Sequence, residues 1–313
     1  MHILKPPKLR KGDVIGVAAP SSPPLSQEKI ANGVRYLESL GYRVRLGSHV
    51  HRTHGYLAGT DEERAADLNA MFRDPDVSAI FVLRGGYGVH RILHRLDYRA
   101  AGRRPKVVVG YSDLTALQLA LWRKVRLVTF SGPMVAVEMG EAIDPFTEEE
   151  FWRILTSTAK AGPLRMPDQQ PLRVMRKGKK TGRLVGGNLS LLCALLGTPY
   201  SPPWKDTVLV LEEVGEEPYR LDRMFMHLRH AKVLKSISGL ALGQFVDCQP
   251  KDSSKPSFTL DEVLEQLVRE LKVPVVANLP YGHVPKKLTI PWGVRSRLDG
   301  AHGKVELLES AVV

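Results

Sequence analysis

Lys106-Val107-Val108-Val109-Gly110-Tyr111-Ser112-Asp113-Leu114-Thr115-Ala116-Leu117 is the stretch on which the reading of the fold turns. Lys106 to Val109 has the short apolar, β-branched run of a buried strand that is ending. Gly110, Tyr111, Ser112 and Asp113 make a sharp corner. Leu114 to Arg123 then has helical spacing, with Leu114, Leu117 and Leu121 recurring on one face. A serine on a tight strand-to-helix corner has its hydroxyl pushed out of the fold. The backbone N–H groups behind it open the helix and can face developing negative charge. An acyl-transfer nucleophile needs that geometry. The pattern Gly-x-Ser-x-Gly is only half present, because Leu114 holds the second glycine position. On this stretch alone, Ser112 reads equally well as a helix N-cap.

The same strand, loop, helix order surrounds the corner. Asp13 to Ala19 is a near-continuous apolar strand, and Ser26 is placed to cap a helix running to about Leu40. Tyr42 to Leu46 is the next strand. Thr60-Asp61-Glu62-Glu63 is a capping box that opens a helix to Phe72. Ala79 to Leu83 is a third strand, followed by Arg84-Gly85-Gly86-Tyr87-Gly88 and a helix from Val89 to Leu96. Leu127 to Phe130 is a fifth strand. Short apolar strands between helices predict an α/β fold with a parallel sheet covered on both faces. Ligands of such sheets sit beyond the C-terminal strand ends. Both the Arg84 to Gly88 loop and the Ser112 corner are at such ends.

A helix is expected from Thr147 to Ala159. The stretch Gly162 to Pro171, with Pro163, Pro167 and Pro171, is the best boundary. The expectation is therefore an N-terminal α/β domain over 1–161, a linker over 162–171 and a smaller C-terminal α/β domain over 172–313. In the second half, Gly186-Gly187-Asn188 is read as opening an apolar helix. Thr207 to Leu211 is a strand before the acidic loop Glu212-Glu213-Val214-Gly215-Glu216-Glu217. Helices are expected at 220–231 and 260–271, strands at 240–245 and 273–277. The last strand leads into Leu279-Pro280-Tyr281-Gly282-His283, and the tail reads as β-structure.

Bulk properties narrow the function classes. The 313 residues carry a net charge of +12, which could mean nucleic acid, an anionic surface or an acidic substrate. The basic residues are scattered. The only dense run, Arg176-Lys177-Gly178-Lys179-Lys180, lacks interleaved aromatics, and no nucleic-acid module signature is present. A compositional preference for arginine, or steering of an anionic small substrate, explains the charge more simply. No apolar run of 18 residues predicts a transmembrane helix, and Met1 to Pro7 lacks the apolar region of a signal peptide. The two cysteines, Cys193 and Cys248, are far apart, so a cytoplasmic protein with reduced thiols is expected.

A serine hydroxyl needs a base within hydrogen-bond reach, and the base needs an orienting acceptor. His283 sits in a Pro/Gly-rich loop directly after a strand, a position suited to a base and equally to an ordinary surface histidine. Glu212 and Glu213 end a strand; they are either a ligand-facing pair or part of a solvated acidic loop. Strand alternation sends only one of them toward the serine. His90 with His94, and His227 with His230, have helical spacings that could ligate zinc, but no cysteine is near and no His-Glu-x-x-His is present. His51 and His54 are weaker still, so no metal and no cofactor are expected. The Arg84 to Gly88 loop is neither Gly-x-Gly-x-x-Gly nor a Walker loop. Its amides are suited instead to an oxyanion hole.

These segments together resemble the LD-carboxypeptidase family of serine peptidases, which includes muramoyltetrapeptide carboxypeptidases and microcin immunity proteins. The resemblance is carried by Gly12 to Ser21, Arg84 to Gly88, Gly110 to Asp113, Ser131-Gly132-Pro133, Gly186 to Leu189, Leu211 to Glu216, Pro218 to Arg223 and Gly282-His283. It spans nearly the whole chain in order. It implies a Ser-His-Glu triad of Ser112, His283 and Glu212, with Glu212 as the first of the acidic pair. It implies oxyanion donors at the backbone N–H groups of Asp113 and Gly86. It further implies a flavodoxin- or amidotransferase-like N-terminal domain, an active site between the two domains, and a homodimer. The expected function is a serine carboxypeptidase that cleaves an L-to-D peptide bond in a murein tetrapeptide and releases terminal D-alanine, in peptidoglycan recycling. The alternative with the same triad is a microcin-immunity-type hydrolase of peptidyl or aminoacyl nucleotide amides, for which Trp204 and Trp292 are candidate stacking residues. A more remote alternative is a non-catalytic binder of anionic peptides.

Overall fold

A computed structural model describes residues 2–167, 172–252 and 254–313. Its strands, in chain order, are β1 (Val14–Ala18), β2 (Arg43–Leu46), β3 (Val77–Val82), β4 (Val107–Val109), β5 (Thr129–Ser131), β6 (Gly162–Pro163) and β7 (Arg173–Arg176). They continue with β8 (Lys179–Asn188), β9 (Thr207–Val214), β10 (Gly239–Val246), β11 (Val275–Ala277), β12 (Ile290–Trp292), β13 (Arg295–Asp299) and β14 (Lys304–Leu307). They form two sheets. The first has the order β12-β5-β4-β3-β1-β2, and the second has the order β6-β14-β13-β8-β9-β10-β11-β7. The fold is α/β as expected. β1 to β5 are mutually parallel, and β1 and β4 are buried at every residue, as covering on both faces requires.

The local signals act as read. Ser26 accepts the Lys29 N–H at the start of the helix Gln27–Ser39, and Thr60 and Glu63 form the reciprocal capping box of the helix Asp61–Arg73. Three expectations need correction. Gly186 and Gly187 do not belong to the helix start: β8 runs through Asn188, whose side chain then caps the expected apolar helix, Leu189–Leu195. Glu212 and Glu213 do not begin a loop, since β9 continues to Val214 and both are buried. Ladder bonds from β8 and β10 on either side extend that strand beyond its apolar run. The helix after Val89 is one turn long, Val89–Ile92, before a 3₁₀ turn.

The stretch expected as a linker begins with β6, which pairs with β14. Residues 168–171, Pro171 among them, lie outside the described residues. The second half also reaches into the first sheet. β12 lies antiparallel to β5, with Ile290 opposite Ser131 and Trp292 opposite Thr129. Pro291 in its centre has no N–H, which suits only an edge strand, and β12 is the edge. No helix among the described residues is long and apolar enough to cross a membrane.

Gln118 locks this edge to the corner. From the helix Thr115–Val125 its buried amide donates to the Gly110 carbonyl at 2.9 Å and the Phe130 carbonyl at 2.8 Å. Its oxygen accepts the Trp292 Nε1–H at 3.1 Å. Trp292→Phe keeps most of the ring and removes that donor, stranding a buried amide oxygen. The unfolding free energy in urea should fall by about 1–3 kcal/mol. An unchanged value would take the indole out of the set of bonds that hold the edge strand.

Candidate active site

The corner is strained in the way a displaced hydroxyl requires. Ser112 has φ +62°, the left-handed region, and is the first residue of the 3₁₀ turn Ser112–Leu114, whose cap position is held by Tyr111. The N-cap reading of Ser112 is therefore set aside. A non-glycine residue in that region stores of order 1 kcal/mol or more. The strain is held by Gln118 below the corner and by the Arg84 to Gly88 loop above it. Gly85 sits so close that a Cβ there would lie 2.9 Å from Ser112 Cβ and 3.1 Å from its Oγ. Any side chain at position 85 would displace the serine.

The second half brings its residues to the same place. Glu212 Oε2 accepts from His283 Nδ1 at 2.8 Å. Glu212 is fully buried, and the His283 side chain is 21% exposed. With Nδ1–H committed to a carboxylate, Nε2 is the basic nitrogen. Strand alternation separates the acidic pair as anticipated. Glu213 turns to the opposite face, where Asn188 Nδ2 and the Ser190 N–H donate to it, both at 2.7 Å. Burial pushes the Glu213 carboxyl up, against the donors that lower it.

Tyr111, the residue before Ser112, carries the histidine. The two rings meet edge to face with centroids 5.2 Å apart. Tyr111 donates to Glu138 Oε1 at 2.8 Å, and burial pushes its phenol far up. Lys287 forms an ion pair with the same Glu138 oxygen, and its Nζ stands 4.0 Å from the Tyr111 ring centroid. The loop that bears His283 is thus fastened to the first half. Two further bonds add to this: Tyr281 Oη lies 3.0 Å from Ser131 Oγ, and the Lys287 N–H donates to Thr147 Oγ1 at 2.9 Å. Among the described residues no hydrogen bond joins Ser112 Oγ to His283. Such contacts are often loose before substrate binds.

Sequence reasoning named Ser112, Glu212, His283, Gly86 and Asp113 but missed Tyr111, Glu138 and Lys287. Only aromatic Tyr111 beside the serine offered a signal; a buried lysine in Pro285-Lys286-Lys287 reads as solvated. The zinc readings fare poorly. Burial lowers the affinity of His90 for a proton. Among the described residues no group of three or more His, Cys, Asp or Glu is placed to hold a metal ion.

Comparison with known proteins fits this geometry. The LD-carboxypeptidase N-terminal domain matches residues 15–132, and the LD-carboxypeptidase C-terminal domain matches residues 181–298. The chain belongs to the LD-carboxypeptidase family. As a member of that family it is a peptidase. It is 37% identical over 309 residues to a probable murein peptide carboxypeptidase of Bacillus subtilis (strain 168), covering 98% of this chain and 95% of that protein. The muramoyltetrapeptide carboxypeptidase from Oxalobacter formigenes superposes with a TM-score of 0.84 at 31% identity, covering 94% of this chain and 97% of that one. The microcin C7 self-immunity protein of Escherichia coli is 28% identical over 337 residues, covering 98% of this chain and 96% of that protein. A structure of that protein with aspartyl sulfamoyl adenosine gives a TM-score of 0.90 at 27% identity, over 99% of this chain and all of that one.

The Lys287 and Glu138 side chains are 4% and 11% exposed, so removing one charge leaves the other poorly solvated. Lys287→Met should lower the unfolding free energy by about 3 kcal/mol, and adding Glu138→Gln should restore part of it. Chemical denaturation of the two variants checks this. A single-variant loss below about 1 kcal/mol would mean the pair is screened by water.

Proposed function

We propose that the chain is a serine carboxypeptidase that removes the terminal D-alanine from a murein tetrapeptide by cleaving its L-to-D bond. Ser112 Oγ attacks the scissile carbonyl carbon while His283 Nε2 takes its proton. The carbonyl oxygen becomes an oxyanion that accepts from the Asp113 and Gly86 N–H groups. Collapse breaks the C–N bond, and the proton on His283 passes to the departing amine. Water, deprotonated by the same imidazole, then hydrolyses the acyl-enzyme and regenerates Ser112. Glu212 holds the imidazole in one tautomer and stabilises its cation.

The observation that carries this reading is the 2.8 Å Glu212–His283 contact, made beside a serine held at positive φ on a strand-end corner. The net charge of +12 favours a substrate with free carboxylates. The reading includes a division at 162–171 between a half that bears the nucleophile and a half that bears the glutamate and histidine. It also includes action as a homodimer in the cytoplasm.

The nucleotide-amide alternative asks for an open aromatic face near the serine. Trp204 and Trp292 are 9% and 1% exposed, so neither candidate is open to stack on a base. Assay of purified protein on a murein tetrapeptide and on an aminoacyl sulfamoyl nucleoside separates the readings. Turnover of the tetrapeptide at the greater kcat/KM is expected. Ser112→Ala and His283→Ala should each lower kcat by a factor on the order of 10³ or more with the fold intact. Full turnover by either variant, or turnover of the nucleoside alone, contradicts the proposal.

A further inference from the structure

We propose that the buried side-chain carboxylate of Asp113 is a positioning group: it fixes the Gly86 N–H relative to Asp113's own N–H, so that both donors meet one oxyanion. This rests on the serine-peptidase reading above and extends it to a group that reading leaves unused.

Asp113 follows the serine, is fully buried, and has no cation within ion-pair distance among the described residues. A carboxylate buried without a direct ion-pair partner is expensive unless its hydrogen bonds serve a purpose. Its Oδ2 accepts from Ser21 Oγ at 2.7 Å and from the Val89 N–H at 3.0 Å. Oδ1 has no hydrogen-bond partner among the described residues. Every bond the side chain makes therefore goes to a segment that follows another strand of the sheet. Ser21 belongs to the loop after β1, and Val89 is the first residue beyond the Arg84 to Gly88 loop after β3.

The two contacts bracket Gly86. On its C-terminal side Asp113 pins Val89, whose turn has no side-chain cap of its own. Ser22, next to the anchored Ser21, accepts the Tyr87 N–H at 3.2 Å and packs against Gly86. On the N-terminal side Gly85 lies over the serine, with its Cβ direction 3.5 Å from the Asp113 nitrogen. The loop is thus referenced to the serine corner through one carboxylate. Gly86 has φ +115° and is exposed, so nothing intrinsic to it sets the direction of its N–H. Burial pushes the Asp113 carboxyl up, while Ser21, the Val89 N–H, His90 and Arg64 pull it down.

The test compares wild type, Ser21→Ala, Asp113→Asn, Asp113→Ala and Ser112→Ala on a murein tetrapeptide. It adds binding of a peptidyl boronic acid, whose serine adduct carries a tetrahedral anion. Ser21→Ala removes one anchor by deleting a single oxygen, and it should fold. Its kcat should drop about 10-fold with KM within about 2-fold, and boronate affinity should fall in parallel. Asp113→Ala should lose about 100-fold in kcat, the scale of one oxyanion donor. Asp113→Asn, which keeps one acceptor oxygen, should recover part of it. A merely structural aspartate would lower the melting temperature and leave kcat per folded molecule and boronate affinity unchanged, which would overturn the proposal. So would a loss confined to KM. If Asp113→Ala does not fold, Ser21→Ala and Asp113→Asn decide by the same criteria. Ser112→Ala must be inactive; if it turns over, the parent reading fails and this one with it. An inactive Ser112→Ala beside fully active Ser21→Ala and Asp113→Asn defeats the positioning role alone.

Discussion

An ammonium group with almost no access to water has to find a carboxylate, and Lys287 finds it on the other half of the chain. Its partner Glu138 also accepts the Tyr111 hydroxyl and the Met134 N–H, so both carboxylate oxygens are engaged. The ion pair is therefore a staple with one geometry. It sits four residues after His283, on a loop that Tyr281 and Thr147 also fasten to the first half. The edge-to-face packing of His283 on Tyr111 follows from it. That packing sets the imidazole against the residue next to Ser112, although His283 and Ser112 arise 171 positions apart in sequence. The second sheet supplies Glu212 from the end of β9, and the carboxylate and imidazole meet at that seam.

Strain and close approach meet at the Ser112 corner. Ser112 keeps a conformation a free chain would avoid, because Gln118 satisfies the carbonyls around the corner and Gly85 leaves only the room the serine needs. Sites that hold a nucleophile commonly store strain this way. Here the holding groups are a buried amide and a glycine, and neither is a chemical participant in the proposed reaction.

Much of this was legible in the residues. Alternating apolar strands and capped helices gave the parallel sheet, because Ser26 and Thr60 act locally and their bonds depend on three or four neighbours. The Ser112 corner was visible for the same reason. The direction of Glu212 against Glu213 followed from strand pleating, once the strand was known to continue. Its continuation was not visible: Glu-Glu looks solvated until β8 and β10 bury it from both sides. Gly186 and Gly187 were misread because glycines suggest a helix start, whereas Gly186 is there to let β9 approach, with a Cβ direction 1.8 Å from the Val210 carbonyl oxygen. Lys287, Glu138 and the Asp113 carboxylate were invisible as a group, since what makes them informative is burial and contact across long sequence separations.

The strand Ile290–Trp292 has a consequence for the architecture as a whole. It completes a sheet whose other five strands come from residues 14 to 131, and the chain then returns at Arg295 to the sheet it left. The two halves are therefore spliced like fingers of clasped hands rather than laid side by side. A fragment ending near residue 161 would leave Thr129 to Ser131 as a bare rim with unpaired backbone groups, prone to recruit a strand from another molecule. Swinging the two halves apart would have to peel that rim from the sheet.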